Sequence, residues 1–472
     1  MNLISRSLHL LRTAALIAAT LVVPASGLHA APLRVATFRC DITPPAGEPL
    51  VWATPLIKVD DPLWAKGVVL EDGANRYVLC SLDWCLVGNE TELSFRKALA
   101  QAVGSDPTRI AVQCIHQHAA PYADEGAYRL LERAPKPLPH LSPVFMDAVR
   151  QRLAGAAQDA AARLQPFDRI GTGQVKAERI ASARRLKDEK GRPVTRYSGA
   201  AKDPKMAAAP EGPIDPWLKT ITLAQGKQPL VRLHYYATHP QTFCCDGRAS
   251  ADFVGLARED VEQQEKVFEI YFTGCAGDVT AGKYNDGSPK AQAELRQRLK
   301  DAMLAAGAHT KYAPAKGITW RTDSITFPLR APQDQLVTQT RSWLEDPTKG
   351  DSLRVYEGAM RLAYVDRLSR PVQVSSLQIG EVHILHLPGE PMLDFQFYAQ
   401  QAKPKDFVAV AGYGDCGTAY ICTDDAIAEG GYEPSAGNVG RGSEAKLKTA
   451  IQTLLGIDPR SARSGPAGAE RQ

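Results

Sequence analysis

The stretch IAVQCIHQHAAP, residues 110–121, decides how the rest of the chain is interpreted. It is an apolar run that leads directly into His116 and His118, two histidines separated by one residue. Because side chains alternate along a strand, both imidazoles would lie on the same side of it. Such a pair can bind one metal ion, or combine a metal ligand with a base. The pattern is equally that of two polar residues closing a strand, so both interpretations stay open.

A second apolar strand, VRLHYYATHP at residues 231–240, ends in His239. Pro240 restricts the residue before it to extended backbone, which fixes the direction of His239. His234 lies in the middle of this strand and is predicted to be a packed or surface residue. The strand end therefore supplies a third candidate imidazole.

A third apolar strand, VHILHLPGEP at residues 382–391, breaks at Pro-Gly and presents Glu390 just before a second proline. A carboxylate held by such a rigid backbone at a strand end is well placed to bind a metal ion. His383 and His386 are predicted to belong to the body of the strand.

Two turns and one loop accompany these strands. The turns, at residues 249–255 and 272–279, are interpreted either as parts of the site or as tight turns without a role in catalysis. The loop at residues 411–433 is rich in glycine and contains Tyr420 and Tyr432. Long loops of this composition are often binding loops, and phenol oxygens can bind metal or donate a hydrogen bond to an oxyanion.

Short β-type runs alternate with amphipathic helical patterns along most of the chain. This alternation predicts an α/β or mixed α+β fold, with a core of multi-stranded mixed sheet flanked by helices and the metal site at the strand ends. Residues 187–216, rich in Lys, Pro, Gly and Ala, are interpreted as an exposed excursion from that core.

The composition is that of an ordinary globular protein, with 44% hydrophobic and 23% charged residues. The 56 basic and 52 acidic residues leave a net charge of only +4, which argues against nucleic acid as a partner. The sequence does not determine the oligomeric state.

The N-terminus has the pattern of a secretory signal peptide, predicted to span residues 1–30. Arg6 and Arg12 precede an apolar run that ends before Pro24, and small residues then lead to Ala30. The alternative, an uncleaved membrane anchor, is disfavoured by the shortness of the run. A secreted or periplasmic protein is therefore expected, with a catalytic domain at residues 31–460 and a disordered tail at 461–472.

All nine cysteines follow the predicted signal peptide. In an oxidising compartment some of them should pair, and the odd count leaves at least one free. Several flank the candidate histidines, so a disulfide beside the site is expected.

Taken together, these segments resemble the catalytic domain of the neutral/alkaline, non-lysosomal ceramidases, which are zinc amidases. The resemblance rests on order and spacing: an opening CDITPPAG at residues 40–47, the His-x-His strand, the His-Pro strand, the two turns, the Pro-Gly-Glu-Pro break, and two tyrosines twelve residues apart. It covers most of the chain after residue 31. The chain looks like a shortened relative without the family's C-terminal immunoglobulin-like domain.

The resemblance implies a Zn²⁺ ion with four ligands: His116, His239, Glu390 and Tyr420. It also implies that His118 and Tyr432 flank the reacting carbonyl and that Arg184 contacts the substrate, although Arg185 next to it fits the same position.

The function implied is hydrolysis of an amide bond by a zinc-bound water, in an N-acyl sphingosine or a related N-acyl compound. The family has Ser-Gly-Pro-Gly-Gly after the histidine pair, whereas this chain has Ala-Ala-Pro-Tyr-Ala at residues 119–123. A different ester or amide therefore remains an alternative substrate, and a non-catalytic secreted binding protein on the same fold is the alternative of another class. The partner implied is a small-molecule or lipid amide, and any membrane contact would be peripheral.

Overall fold

The computed structural model describes residues 32–346, 348–349 and 352–458 of the chain. The predicted signal peptide and the predicted tail lie outside these residues. The described residues from Pro32 onward form one compact unit. None of the helices in this part of the chain combines the length and apolar character needed to cross a membrane.

In chain order, the strands are β1 (Arg34–Asp41), β2 (Lys58–Val59), β3 (Trp64–Glu71), β4 (Arg76–Leu82), β5 (Leu86–Val87), β6 (Ile110–Cys114), β7 (Tyr122–Ala123), β8 (Gln165–Pro166), β9 (Arg169–Lys176), β10 (Ser182–Ala183), β11 (Arg185–Lys187), β12 (Pro193–Thr195), β13 (Trp217–Gln225), β14 (Gln228–Tyr236), β15 (Arg248–Ala249), β16 (Phe268–Thr273), β17 (Val279–Thr280), β18 (Lys311–Pro314), β19 (Thr319–Ile325), β20 (Val372–Ile379), β21 (Val382–His386), β22 (Glu390–Pro391), β23 (Phe407–Ala411) and β24 (Tyr420–Ile421).

The α-helices are α1 (Asn89–Val103), α2 (Glu125–Glu132), α3 (Pro143–Ala161), α4 (Pro204–Ala208), α5 (Asp252–Glu265), α6 (Pro289–Ala308), α7 (Gln333–Glu345), α8 (Ser352–Asp366), α9 (Leu393–Ala402), α10 (Asp424–Glu429), α11 (Tyr432–Ala436) and α12 (Ser443–Leu454). Short 3₁₀ helices occur at Val51–Ala53, Pro107–Arg109, Ala200–Lys202 and Cys416–Thr418.

Three mixed sheets form the centre of the fold. Their strand orders are β6-β4-β3-β1-β8, β16-β14-β13-β9-β18 and β19-β20-β21-β23. Each sheet contains one parallel pair, β4 with β6, β14 with β16, and β21 with β23, and its other strands pair antiparallel. The mixed α+β prediction, with sheets flanked by helices, is confirmed.

Apolar side chains from all three sheets meet in one shared cluster, which includes Val68 and Leu79 of the first sheet, Ile221 and Leu233 of the second, and Ile384 of the third. Strands whose side chains are buried need β-branched and other apolar residues, and these strands have them. Because the sheets are packed against one another in this way, their strand ends are held in a fixed relation.

The two long helices α3 and α6 begin at serine caps. Ser142 and Ser288 each precede a proline at the first helical position, and each accepts a hydrogen bond from a backbone N–H of the first turn, in α3 and α6 respectively. A larger cluster of buried residues packs helices α1 and α3 against strands of the first sheet.

Strand β9 is absent from the sequence-based prediction, because its glycines are poor strand formers. The fold explains one of them: a Cβ on Gly173 would lie 2.0 Å from the carbonyl oxygen of Ala306. Helix α6 therefore packs directly on the strand backbone, and this close approach requires glycine.

The cysteine pairing differs from the expectation. The disulfide joins Cys244 and Cys245, adjacent residues, while Cys85 and Cys275, which flank the candidate site, are free thiols. The prediction of a disulfide beside the site is therefore wrong.

Candidate metal centre

Three strand ends bring the candidate ligands together. His116 follows β6, His239 follows β14, and Glu390 follows the Pro-Gly break after β21. Each of these strands belongs to the parallel pair of its own sheet. Each sheet thus contributes one polar side chain from the end of such a strand, a placement that is common for binding sites in open sheets.

Three donor atoms converge at this point. Nε2 of His116 lies 3.2 Å from Oε2 of Glu390, and Nε2 of His239 lies 3.1 Å from the same oxygen. All three side chains are buried. Ligand atoms about 2.0–2.1 Å from one tetrahedral ion are about 3.3 Å from each other, so these separations match a shared metal ion.

The other ring nitrogen of each histidine is bound to the backbone. Nδ1 of His116 lies 2.8 Å from the carbonyl oxygen of Cys85, and Nδ1 of His239 lies 2.7 Å from that of Ala276. A carbonyl oxygen only accepts, so Nδ1 donates in both cases and a neutral ring carries its lone pair on Nε2. The second possible group, Cys85 with His116 and His118, is disfavoured because Nδ1 of His116, the ring nitrogen nearer the Cys85 thiol, is already engaged.

The local backbone is shaped to hold these side chains. His116 has a φ of 69°, a left-handed conformation that is unusual for a non-glycine residue. Its N–H donates to the carbonyl of Trp84, which fixes it there. Gly389, before Glu390, also has a positive φ, and a Cβ would lie 2.5 Å from the carbonyl oxygen of Ala419. Glycine is therefore required at the break.

Burial disfavours the charged form of two imidazoles in this group. Burial lowers the pKa of His239 to about 4. Burial also lowers the pKa of His118 well below its ordinary value, assisted by the neighbouring His116. For Glu390, burial alone would raise the pKa, but positive charge on His116 and His239 more than offsets this and holds it well below the usual range, so the carboxylate is the form favoured beside a cation.

Two acceptor nitrogens and an anionic oxygen thus face one another. No protein donor separates Nε2 of His116 from the carboxylate, and that nitrogen has no hydrogen-bond partner within the described part of the chain. Three acceptors at about hydrogen-bond distance repel one another unless a cation lies between them. The residues therefore fit a divalent metal ion that prefers nitrogen and oxygen ligands.

Tyr420 and Arg184 lie at the edge of this group. The hydroxyl of Tyr420 is 3.4 Å from Nε2 of His239. Nη1 of Arg184 donates to the Tyr420 hydroxyl over 3.0 Å and lies 3.2 Å from Nε2 of His239. Arg185 instead pairs with Glu433 and Glu429, away from the histidines. Of the two adjacent arginines, Arg184 is therefore the one that reaches the site.

His118 and Tyr432 face the cavity beside the candidate ligands. The ring of His118 is 5.0 Å from that of His116, and neither of its nitrogens has a hydrogen-bond partner among the described residues. The ring of Tyr432 is 5.7 Å from that of Tyr420, and the Arg184 guanidinium lies 4.6 Å above it. The roles predicted for these residues stay predictions, but all seven predicted side chains lie in one neighbourhood.

The two turns position residues of the site without facing the cavity. The carbonyl of Val279 accepts the backbone N–H of His239, and the carbonyl of Asp278 accepts that of Arg184. In the other turn, Asp252 accepts the backbone N–H of Thr242. These contacts favour the interpretation that the turns support the site and take no part in catalysis.

Two further residues were missed by sequence reasoning. Tyr413 is fully buried and stacks on His116 at a ring distance of 4.2 Å. Trp52 contacts His118 edge-on at 5.8 Å, and its backbone is left-handed, with a φ of 53°. The glycine-rich loop was a signal for Tyr413, whereas nothing in the sequence around Trp52 pointed to the site.

Solved structures with a similar fold exist. The crystal structure of neutral ceramidase from Pseudomonas aeruginosa superposes with a TM-score of 0.67 at 15% sequence identity, covering 90% of this chain and 75% of that chain. A ceramidase complexed with C2 gives a TM-score of 0.66 at 15% identity, covering 90% of this chain and 76% of that one. No protein-family model matches the chain, and no curated protein matches it by sequence. The chain thus has a neutral ceramidase-like fold.

Proposed function

We propose that this chain is a zinc-dependent amide hydrolase of the neutral ceramidase type, acting outside the cytoplasm as a secreted or periplasmic enzyme. The observation that carries the proposal is the convergence of Nε2 of His116 and Nε2 of His239 on one oxygen of Glu390, at 3.2 and 3.1 Å. The similarity of fold to ceramidases supports the same reaction class. The substrate proposed is an N-acyl sphingosine or a related N-acyl compound.

The residues proposed to hold the metal ion are His116, His239, Glu390 and Tyr420. When bound, zinc acts as a Lewis acid and lowers the pKa of a water molecule that it binds. Tyr413 would keep the ring of His116 in its orientation by stacking on it.

His118 is proposed as the general base. Its low pKa keeps it neutral near pH 7, and its ring nitrogens have no partner among the described residues, so one of them is available to accept a proton from the attacking water. The same nitrogen would return that proton to the leaving amine.

Tyr432 and Arg184 are proposed to act on the carbonyl side. The phenol of Tyr432 would donate a hydrogen bond to the carbonyl oxygen as negative charge develops on it. Arg184 lies over the ring of Tyr432 and donates a hydrogen bond to the hydroxyl of Tyr420. It would fix the positions of both phenols and add a positive charge beside them. Tyr420, Tyr432 and Glu433 raise the pKa of Arg184 although burial opposes them, so the charge persists.

Metal analysis of the purified protein and of its His116→Ala and Glu390→Ala variants tests the metal assignment. The proposal predicts about one zinc per wild-type chain and none in either variant. Full zinc content in both variants would refute the assignment.

A hydrolysis panel tests the reaction class. N-acyl sphingosines, N-acyl amino acids and p-nitrophenyl esters are offered to the zinc-loaded protein with and without a chelator. Amide cleavage that the chelator abolishes and zinc restores is expected. Tight binding without chelator-sensitive turnover would identify a binding protein instead, and cleavage of esters alone would identify a different zinc hydrolase.

A further inference from the structure

The cavity beside the candidate metal centre is narrow. Its lining includes Glu390, His118 and Tyr432, which belong to the proposed chemistry, and it encloses only about 50 Å³, room for a few water molecules. Pockets that bury a drug-sized ligand are about 300–1,000 Å³. The space around a reacting amide can therefore hold a small group, but it cannot hold a long hydrocarbon chain.

Tyr122 contributes an aromatic side chain to the wall of this cavity. It lies in β7, which pairs in parallel with β5, so its backbone is held in place. Burial of its hydroxyl, with Cys85 and Glu390 nearby, raises the pKa of Tyr122 well above the ordinary value. Tyr432 and, on helix α8, Glu357 also lie within electrostatic range of this hydroxyl. The phenol therefore lies between the metal centre, the tyrosine loop and α8.

Trp52 and Met360 form further parts of the wall. The residue before Trp52, Val51, donates its backbone N–H to the carbonyl of Ala120 over 2.9 Å, in the turn that follows His118. Helix α8, which carries the buried Met360, packs against the 3₁₀ helix that contains Trp52. Because these elements are packed on one another, the cavity cannot widen without displacing packed side chains.

We propose that Tyr122 limits the size of the group that enters the cavity, so that the site takes amides in which this group is short, an N-acetyl compound in the simplest case. This inference rests on the proposed function and narrows its substrate class from N-acyl compounds in general to those with a short half. A longer group would overlap the Tyr122 ring, and forcing extra methylenes into a packed space is unfavourable. No step of the proposed hydrolysis uses the phenol of Tyr122, so its role is to select the substrate.

The test compares three simple amides on the zinc-loaded enzyme. N-acetylethanolamine is short on both sides of the amide, N-octanoylethanolamine has a long acyl half, and N-octylacetamide has a long amine half. The wild type is expected to cleave at least one of the two long amides less efficiently than N-acetylethanolamine, by about ten- to a hundredfold in kcat/KM. The long amide that is rejected identifies which half of the substrate enters the cavity.

Tyr122→Ala removes the ring and should bring the ratio of short to rejected amide to about one. Tyr122→Phe keeps the ring and removes only the hydroxyl, so it is the matched control and should keep the wild-type ratio. Because the readout is a ratio within each protein, a general loss of activity cancels. Met360→Ala widens the cavity from the side of α8 and should also lower the ratio, which keeps the test usable if Tyr122→Ala does not fold. A wild type that cleaves both long amides as well as the short one, or a ratio that Tyr122→Ala leaves unchanged, would overturn the inference.

Binding separates this inference from the proposed function. Titration calorimetry measures the affinity of each long amide for the wild type, Tyr122→Ala and Tyr122→Phe. A long amide that Tyr122→Ala alone binds more tightly, by about tenfold or more, supports the size limit even if no amide is cleaved, in which case the hydrolase proposal alone fails. If no amide is cleaved, equal affinities or a lack of binding in all three proteins would overturn the size limit as well.

Discussion

Two buried histidines from one segment, His234 and His239, each face a glutamate, yet their surroundings differ. His234 lies within β14, where its Nε2 is 2.8 Å from Glu269 and its Nδ1 is 2.9 Å from the hydroxyl of Thr220. Arg232 also pairs with Glu269, so the Glu269 carboxylate faces a donor from each of two side chains. A buried carboxylate that is matched by protein donors needs no metal ion and serves packing.

His239 lies beyond the end of the same strand and shares its glutamate with a second imidazole. Its Nδ1 donates a hydrogen bond to the backbone carbonyl of Ala276. Its Nε2 lies close to the same oxygen of Glu390 that Nε2 of His116 contacts. Acceptors here outnumber donors. A buried His–Glu contact is therefore not by itself a metal site. A candidate metal site is distinguished by acceptors that outnumber donors at a strand end.

Exchanging each histidine for alanine should produce the largest difference in effect. His239→Ala should abolish zinc binding and lower amide hydrolysis by about a thousandfold or more, because one of the proposed ligands is gone. His234→Ala should keep about one zinc per folded chain. Zinc content and kcat/KM of the two variants, measured side by side, check this. Zinc retained by the first variant or lost by a folded second variant would contradict the distinction.

Tyr432→Phe separates metal binding from turnover within the site. The variant should hold zinc as the wild type does but turn over about ten- to a thousandfold more slowly, because one hydrogen-bond donor to the developing oxyanion is removed. Steady-state kinetics with metal analysis of the same sample provide the measurement. An unchanged kcat would remove Tyr432 from the proposed mechanism.

Glu269→Gln affects the other glutamate and should have the smallest functional effect. It leaves buried Arg232 without its fully buried carboxylate, which is expected to lower the free energy of unfolding by about 3 kcal/mol. Zinc content should stay at the wild-type level, since no proposed ligand is touched. Chemical denaturation with metal analysis checks both statements, and loss of zinc from the folded variant would show that the two glutamates are not functionally separate.

Much of the architecture was predictable because apolar strands and amphipathic helices are local patterns. The strands ending before His116, His239 and Glu390 were predicted near their observed bounds for this reason. Strand β9 and helices α2 and α8 were not predicted. In β9 the glycines that let α6 approach are the residues that weaken a strand pattern. The position of α8 beside the cavity depends on tertiary packing, so its residues could not be connected with the site from sequence.

The candidate site was predictable where a rigid strand end fixed the side chain. Pro240 and the Pro-Gly break before Glu390 are signals of that kind. The choice between Arg184 and Arg185 was not predictable from sequence. Arg184 lies between the short strands β10 and β11 and both arginines reach Glu433, so only the tertiary packing decides which one faces Tyr420. The hydrogen bonds that orient His116 and His239 run to the carbonyls of Cys85 and Ala276. They involve backbone atoms and therefore leave no signature in the sequence.

The most direct test of the central claim is an anomalous difference map recorded at the zinc absorption edge from crystals of the wild-type protein. The account predicts one strong peak, about 2.0–2.2 Å from Nε2 of His116, Nε2 of His239 and a carboxylate oxygen of Glu390. A zinc peak elsewhere, or none between these three atoms in crystals of an enzyme shown to contain zinc, would contradict it.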